Sequence, residues 1–461
     1  MSMSYAIRFG TNGWRDRMDG GFSEENVLRA LHAIAAYSKK TYGKGTVIIG
    51  FDARNHSLEY AHLAYDMFTS QGFDAMMTDS PTPTPVLEFS VKDKGAVCGV
   101  EITASHNPAV YNGIKFIPGY GAPASKAITD EIERMVPFHA GVPRHAEPKT
   151  FSPKAEYLNA IKGKIDLGKV SSLRVVVDPF YGTTIGYLSE ALAQDGVKVE
   201  QIHSNYDPDF GGMNPEPNEE STAELAKKVL ETGADIGIAN DGDGDRFVAI
   251  DGKGAFYPSN KACLIIAEYL FGTKRKTGRV AKTVAVTAAL DRLCEAYGVP
   301  VTEVPVGSKY ISQELMDGAV LGVESTAGVS FGWWLPDRDG IAAGMLLCEI
   351  MANTGKPLDT LWQEVASKYG YGVYEELEFP LQQKLEVNMD FLVKEDSRSE
   401  FGGAQITGRS KIDGIKFLLD DGAWVLIRRS GTEPLVRVYI EAATKSRADE
   451  LIVAVKRILG L

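Results

Sequence analysis

The chain has 461 residues, a net charge of −12 and 24% charged residues, and its Gly and Pro content is that of an ordered soluble protein, so three or four folded domains are expected. The acidic balance argues against a nucleic-acid partner, whose phosphates need clustered Lys and Arg, but leaves room for a small anionic substrate met by local cations. No apolar run approaches the ~20 residues of a membrane span and MSMSYAIRFG has no leader pattern, so no membrane partner and a cytoplasmic location are expected.

Short β-branched runs at 46–50, 97–102, 173–177, 236–239, 280–286 and 320–324 alternate with amphipathic stretches, the pattern of α/β layers with mostly parallel strands. Cys98, Cys263, Cys294 and Cys348 are dispersed in this pattern with neither zinc nor disulfide spacing, and are expected to be reduced core residues. Pro/Gly-rich or polar breaks divide the chain into 1–150, 151–252, 253–367 and 368–461. In the last unit the strands 415–419, 424–428 and 436–441 precede an amphipathic helix at 446–459. The expected architecture is three similar α/β domains with mixed or parallel sheets plus a fourth, α+β domain, with an active site in the central cleft. In open α/β sheets ligands sit beyond the carboxyl ends of the strands, so the residues after each run carry the chemistry.

After the run 97–102 comes Thr103-Ala104-Ser105-His106-Asn107-Pro108, a hydroxyl beside an imidazole; alone, it reads equally as a hydrogen-bonded turn. After 236–239 comes Asn240-Asp241-Gly242-Asp243-Gly244-Asp245-Arg246. Three carboxylates on alternate residues repel unless a hard divalent cation such as Mg²⁺ gathers them. An EF-hand is excluded, because Arg246 stands where that loop needs Gly and Gly252 where it needs Glu. After 320–324, Glu324, Ser325 and Thr326 offer a carboxylate and hydroxyls suited to a sugar. The overlapping Gly328-Val329-Ser330-Phe331-Gly332 matches a hydrolase elbow, but the last of the seven histidines is His203 and Pro336 interrupts the required helix. After 424–428, Arg428-Arg429-Ser430-Gly431-Thr432-Glu433-Pro434 combines guanidinium, hydroxyls and a Gly turn, the makings of a phosphate cradle.

Together with Phe9-Gly10-Thr11-Asn12-Gly13-Trp14-Arg15, these four loops in this order resemble the α-D-phosphohexomutase family, which includes phosphoglucomutase, phosphomannomutase and phosphoglucosamine mutase. The resemblance implies a phosphoserine at Ser105 beside His106, with Ser105, Asp241, Asp243 and Asp245 around Mg²⁺. It implies Arg15 and Arg246 as cations near the transferring phosphoryl and Lys115 as a proton-transfer candidate. Lys309, Glu324 and Thr326 would orient the sugar, and Arg428, Ser430, Gly431 and Thr432 would hold its phosphate. The implied reaction interconverts hexose 1- and 6-phosphates of glucose or mannose through a hexose 1,6-bisphosphate, which also serves as activator, in a monomer or small homo-oligomer. Phosphoglucosamine mutase and a non-catalytic sugar-phosphate-binding relative are the alternatives. The sugar loop departs from the family: Gly328 holds one customary histidine position, and Trp333-Trp334 lies where a later histidine is expected. These indoles either stack on the sugar or anchor the loop.

Overall fold

Five of the six residues of the strand Thr46–Phe51 are buried, and their alternation sends them to two different layers. Val47 and Ile49 join a core with the helices Glu24–Tyr42 and Ser57–Ser70, while Ile48 meets Leu87 and Val91 of the helix Thr84–Asp93 on the other face. The strand Arg174–Asp178 repeats this division, with Val175 and Val177 on one side and Val176 against Leu225 and Val229 on the other. Such doubly covered strands are typical of parallel sheets between helices. The computed structural model describes residues 5–10, 12–325, 328–381, 383–431 and 434–461.

Four sheets follow one another along the chain. In the first, Thr46–Phe51 runs parallel to Asp74–Thr78 and Cys98–Ile102, and Tyr111–Pro118 returns antiparallel beside Cys98–Ile102. In the second, Arg174–Asp178 runs parallel to Lys198–Gln201 and Ile236–Asn240, and Phe247–Asp251 returns antiparallel. In the third, Arg279–Thr283 runs parallel to Val301–Val304 and Ala319–Glu324, and Gly328–Phe331 returns antiparallel. Each of these three domains therefore places its chemistry-bearing loop in the hairpin that leaves a parallel strand. The fourth sheet, from Val373–Pro380 to Ala404–Ser410, is antiparallel throughout and is covered by the helix Lys445–Leu459.

Among the joints between these units, two involve the third domain. The helix Gly340–Thr354 is apolar on most of its surface and packs in one continuous core with side chains of the second and third domains. The expected strand 280–286 ends at Thr283, because Val284 and Ala285 pack instead against Trp424, Leu426 and Tyr439 of the fourth domain. That joint is also polar: Glu441 accepts from Thr287 Oγ1 and the Ala288 N–H, and Lys416 donates to the Val284 carbonyl at 2.8 Å.

Candidate active site

Ser105 is fully buried and adopts a left-handed backbone, φ 52°, which is uncommon for a residue with a side chain. Arg54 holds that turn. Its guanidinium donates to the carbonyls of Ser105 and Asn107, each at 2.6 Å, and to those of Pro108 and Tyr111, while Nε donates to Asp52 Oδ2 at 2.9 Å. Asp52 also accepts from Thr103 Oγ1, which in turn accepts the Ser105 N–H at 2.9 Å. The Ser105 hydroxyl donates to Asp241 Oδ2 at 3.1 Å, joining the loop of the first domain to the acidic loop of the second. Beside it, His106 Nδ1 lies 3.3 Å from Glu216 Oε2, and burial with the Arg246 and Arg15 guanidiniums pushes the imidazole down to about 4, against the pull of Glu216. Arg15 Nη1 donates to Asn107 Oδ1 at 3.0 Å.

The acidic loop needs its glycines for space as well as conformation. A Cβ on Gly242 would stand 2.9 Å from the Ser105 carbonyl, and Gly244 has φ +76° with Thr184 2.4 Å from where a Cβ would be. Backbone bonds fix the loop from three domains: Thr84 N–H to the Asp243 carbonyl, Thr183 N–H to the Gly242 carbonyl, and Gly340 N–H to the Gly244 carbonyl. Asp241, Asp243 and Asp245 are buried, and one oxygen of each lies within 4.8 Å of the others. Among the described residues, Asp243 Oδ1 and Asp245 Oδ1 find no hydrogen-bond partner. Buried carboxylates so close push Asp241 well above the usual carboxylate range, through burial first and then the charges of Asp243 and Asp245. A hard divalent cation fits this oxygen set, since it supplies the missing partner of both orphaned oxygens and relieves the repulsion.

Lys115 and Arg246 both lean on the cluster. Lys115 donates to Asp243 Oδ2 at 2.5 Å and to Thr84 Oγ1 at 2.8 Å. Burial works to lower its ammonium, but the attraction of Asp243 and Asp245 prevails and raises it, so Lys115 is held protonated. Arg246 donates from its backbone to Asp241 Oδ1 and from Nη1 to Glu216 Oε1 at 2.6 Å.

Four of the remaining expected residues form a second group. Lys309, Arg428, Ser430 and Gly431 line a cleft of about 610 Å³ together with Arg8 and Lys126 of the first domain. Arg428 is oriented there by Asp413, whose Oδ2 accepts its Nε at 2.7 Å and also the Val306 N–H of the third domain. Glu324 is buried at the end of its strand, nearer the acidic loop, where it is linked to Asp245 through Arg338. Thr11, Thr326, Ala327 and Thr432 lie outside the described residues.

Trp333 and Trp334 are loop anchors. Trp334 stacks on Phe89 of the first domain at 5.4 Å, meets Tyr157 edge to face, and donates Nε1–H to Asp339 Oδ2 at 2.7 Å. Trp333 stacks on Phe331. Trp334→Ala is accordingly expected to destabilise the fold by roughly 3 kcal/mol, read as a lower midpoint of chemical unfolding. A midpoint equal to the parent's would contradict the anchoring role.

Sequence reasoning missed Arg54, Glu216, Arg338 and Asp413. Arg54 carried a usable signal, because Asp52-Ala53-Arg54 directly follows the strand Thr46–Phe51 and is itself a strand-end loop. The other three have no such marker.

Family models for the four phosphoglucomutase/phosphomannomutase domains match this chain in order. Alpha/beta/alpha domain I matches residues 6–138, domain II 155–254, domain III 258–369 and the C-terminal domain 384–458. A Methanopyrus kandleri protein named "Probable phosphoglucosamine mutase" is 33% identical, with 96% of this chain and 95% of the other covered. The Thermococcus kodakarensis phosphoglucomutase/phosphomannomutase is 30% identical, with 96% of each covered. Among solved structures, one from Thermus thermophilus, provisionally named a phosphomannomutase, aligns over 100% of both chains with a TM-score of 0.89 and 30% identity.

Proposed function

The chain belongs to the phosphoglucomutase/phosphomannomutase family of intramolecular phosphotransferases, and we propose that it interconverts the 1- and 6-phosphates of glucose and mannose through a phosphoserine at Ser105. The observation that carries this reading is the contact of the buried Ser105 hydroxyl with Asp241 of an acidic cluster that has two orphaned oxygens. Each unit would contribute one loop: 1–150 the phosphoserine, 151–252 the metal site, 253–367 the sugar loop and 368–461 the phosphate cradle.

In this mechanism the bond from phosphorus to Ser105 Oγ breaks as a bond forms to the free hydroxyl of the sugar phosphate, giving a 1,6-bisphosphate. The sugar then reverses and returns its other phosphate to Ser105. Asp241, Asp243 and Asp245 would hold Mg²⁺, which when bound neutralises charge at the transferring phosphoryl. Arg15 and Arg246 stabilise the equatorial phosphoryl oxygens as charge builds on them. His106, whose imidazole burial and the neighbouring guanidiniums push down to about 4, is the candidate acceptor of the hydroxyl proton, and Lys115, beside Asp243, is the candidate donor to the leaving serine oxygen. Lys309, Glu324 and Thr326 orient the sugar, and the Arg428, Ser430, Gly431 and Thr432 cradle holds whichever phosphate is not reacting.

Arg428→Ala is expected to raise KM at least tenfold with a smaller change in kcat, because the cradle binds the idle phosphate equally in ground and transition states. A charge-assisted hydrogen bond of about 1.5–3 kcal/mol underlies that figure. Steady-state kinetics with an unchanged KM would move the phosphate site elsewhere.

A second reading, phosphoglucosamine mutase, is favoured by the name of the Methanopyrus relative. One panel separates the two. The protein is incubated with Mg²⁺, a trace of glucose 1,6-bisphosphate and the 1-phosphate of glucose, mannose or glucosamine, and the 6-phosphate is measured. Glucose and mannose should both turn over, with a modest preference. Turnover confined to glucosamine 1-phosphate would establish the second reading, and none with any sugar would overturn both.

A further inference from the structure

Arg338 joins two loops that come from different domains. It is 6% exposed and sits between the strand Gly328–Phe331 and the helix Gly340–Thr354. Nη2 donates to Asp245 Oδ2 of the acidic loop at 2.6 Å, while Nη1 lies 3.1 Å from Glu324 Oε2 at the end of the third domain's strand. Its backbone is bridged to Ser330 of the neighbouring strand.

Gly328 makes the path for this side chain. It pairs with Glu324 across the hairpin, and a Cβ built on it would stand 2.3 Å from Arg338 Cδ and 3.1 Å from Cγ. Glycine at this position leaves room for the arginine stem. A guanidinium can address two carboxylates from one rigid plane, which a lysine ammonium cannot reproduce. Burying such a charge between two carboxylates adds little net stability compared with apolar packing, so the arrangement is better explained by the relative position it enforces.

We infer that Arg338 is a positioning residue for sugar selection, which holds the Glu324 carboxylate beside the acidic loop by an ion pair and so sets the sugar at a fixed distance from Ser105. The inference rests on the mutase reading, in which Glu324 contacts the sugar. Gly328 belongs to the same device: a methyl group there displaces the arginine without removing it.

The test compares parent, Arg338→Lys, Gly328→Ala and the double variant on glucose 1-phosphate and mannose 1-phosphate. Mg²⁺ binding to the substrate-free proteins by calorimetry and thermal unfolding are measured alongside. Both single variants should lose at least tenfold in kcat/KM and shift the glucose-to-mannose ratio at least threefold in the same direction. The double variant should lose less than the product of the single losses, since both changes remove one contact. Arg338→Lys keeps the charge beside Asp245, so its Mg²⁺ affinity should stay within about threefold of the parent's. Folded single variants with an unmoved sugar ratio, or losses that multiply in the double variant, overturn the inference while leaving the mutase reading intact. A parent without turnover on either sugar removes the glucose and mannose reading and this inference with it.

Discussion

Ser105→Ala will give a folded protein whose mutase turnover falls by at least roughly a thousandfold, the scale seen when a covalent relay is removed. The hydroxyl makes one side-chain hydrogen bond, to Asp241 at 3.1 Å, so its loss should cost only about 1 kcal/mol of stability. The left-handed turn survives, because Arg54 and Thr103 hold backbone atoms of the loop and not the serine hydroxyl. Thermal unfolding within about 4 °C of the parent, together with absent turnover, is the expected pair of results. Turnover within a few-fold of the parent would eliminate the relay.

Asp243→Asn will raise the Mg²⁺ concentration needed for half-maximal turnover by at least tenfold, and will lower the rate at saturating Mg²⁺ by a similar factor. The two oxygens of Asp243 have different duties. Oδ2 accepts from Lys115 and Thr84, while Oδ1 finds no hydrogen-bond partner among the described residues. An amide there either turns its NH₂ toward Lys115 or offers it to the cation, and both lose attraction. Removing one negative charge also leaves Lys115 less compensated in a buried site. Treatment of the parent with EDTA should abolish turnover, and excess Mg²⁺ should restore it. Full activity in metal-free buffer would exclude the role given to the loop.

Much of this architecture can be read from strand ends. The runs at 97–102, 236–239 and 320–324 announce three strands, and the polar residues after them form the hairpin loops of the observed sheets. The local sequence carries these features because β-branched periodicity and turn residues are local signals. Overrun of the expected strand at 280–286 has the opposite cause, since Val284 and Ala285 are apolar for the sake of a neighbouring domain. Arg338 and Asp245 are 93 residues apart, and no spacing rule connects a lone arginine to a carboxylate on another domain. Trp334 was ambiguous for the same reason, as its stacking partner Phe89 belongs to the first domain and its N–H acceptor Asp339 is an N-cap of the next helix.

In the proposed mechanism the transferred phosphoryl group resides on Ser105 between half-reactions. The direct measurement charges the protein with glucose 1,6-bisphosphate labelled with radioactive phosphorus, then locates the label by proteolysis and mass spectrometry. It is followed after addition of unlabelled hexose 1-phosphate and Mg²⁺. The expected result is one labile phosphoryl group, on the peptide containing Ser105, that passes into the sugar phosphates at least as fast as kcat. Turnover with no label on the protein, or with the label on another residue, would contradict it.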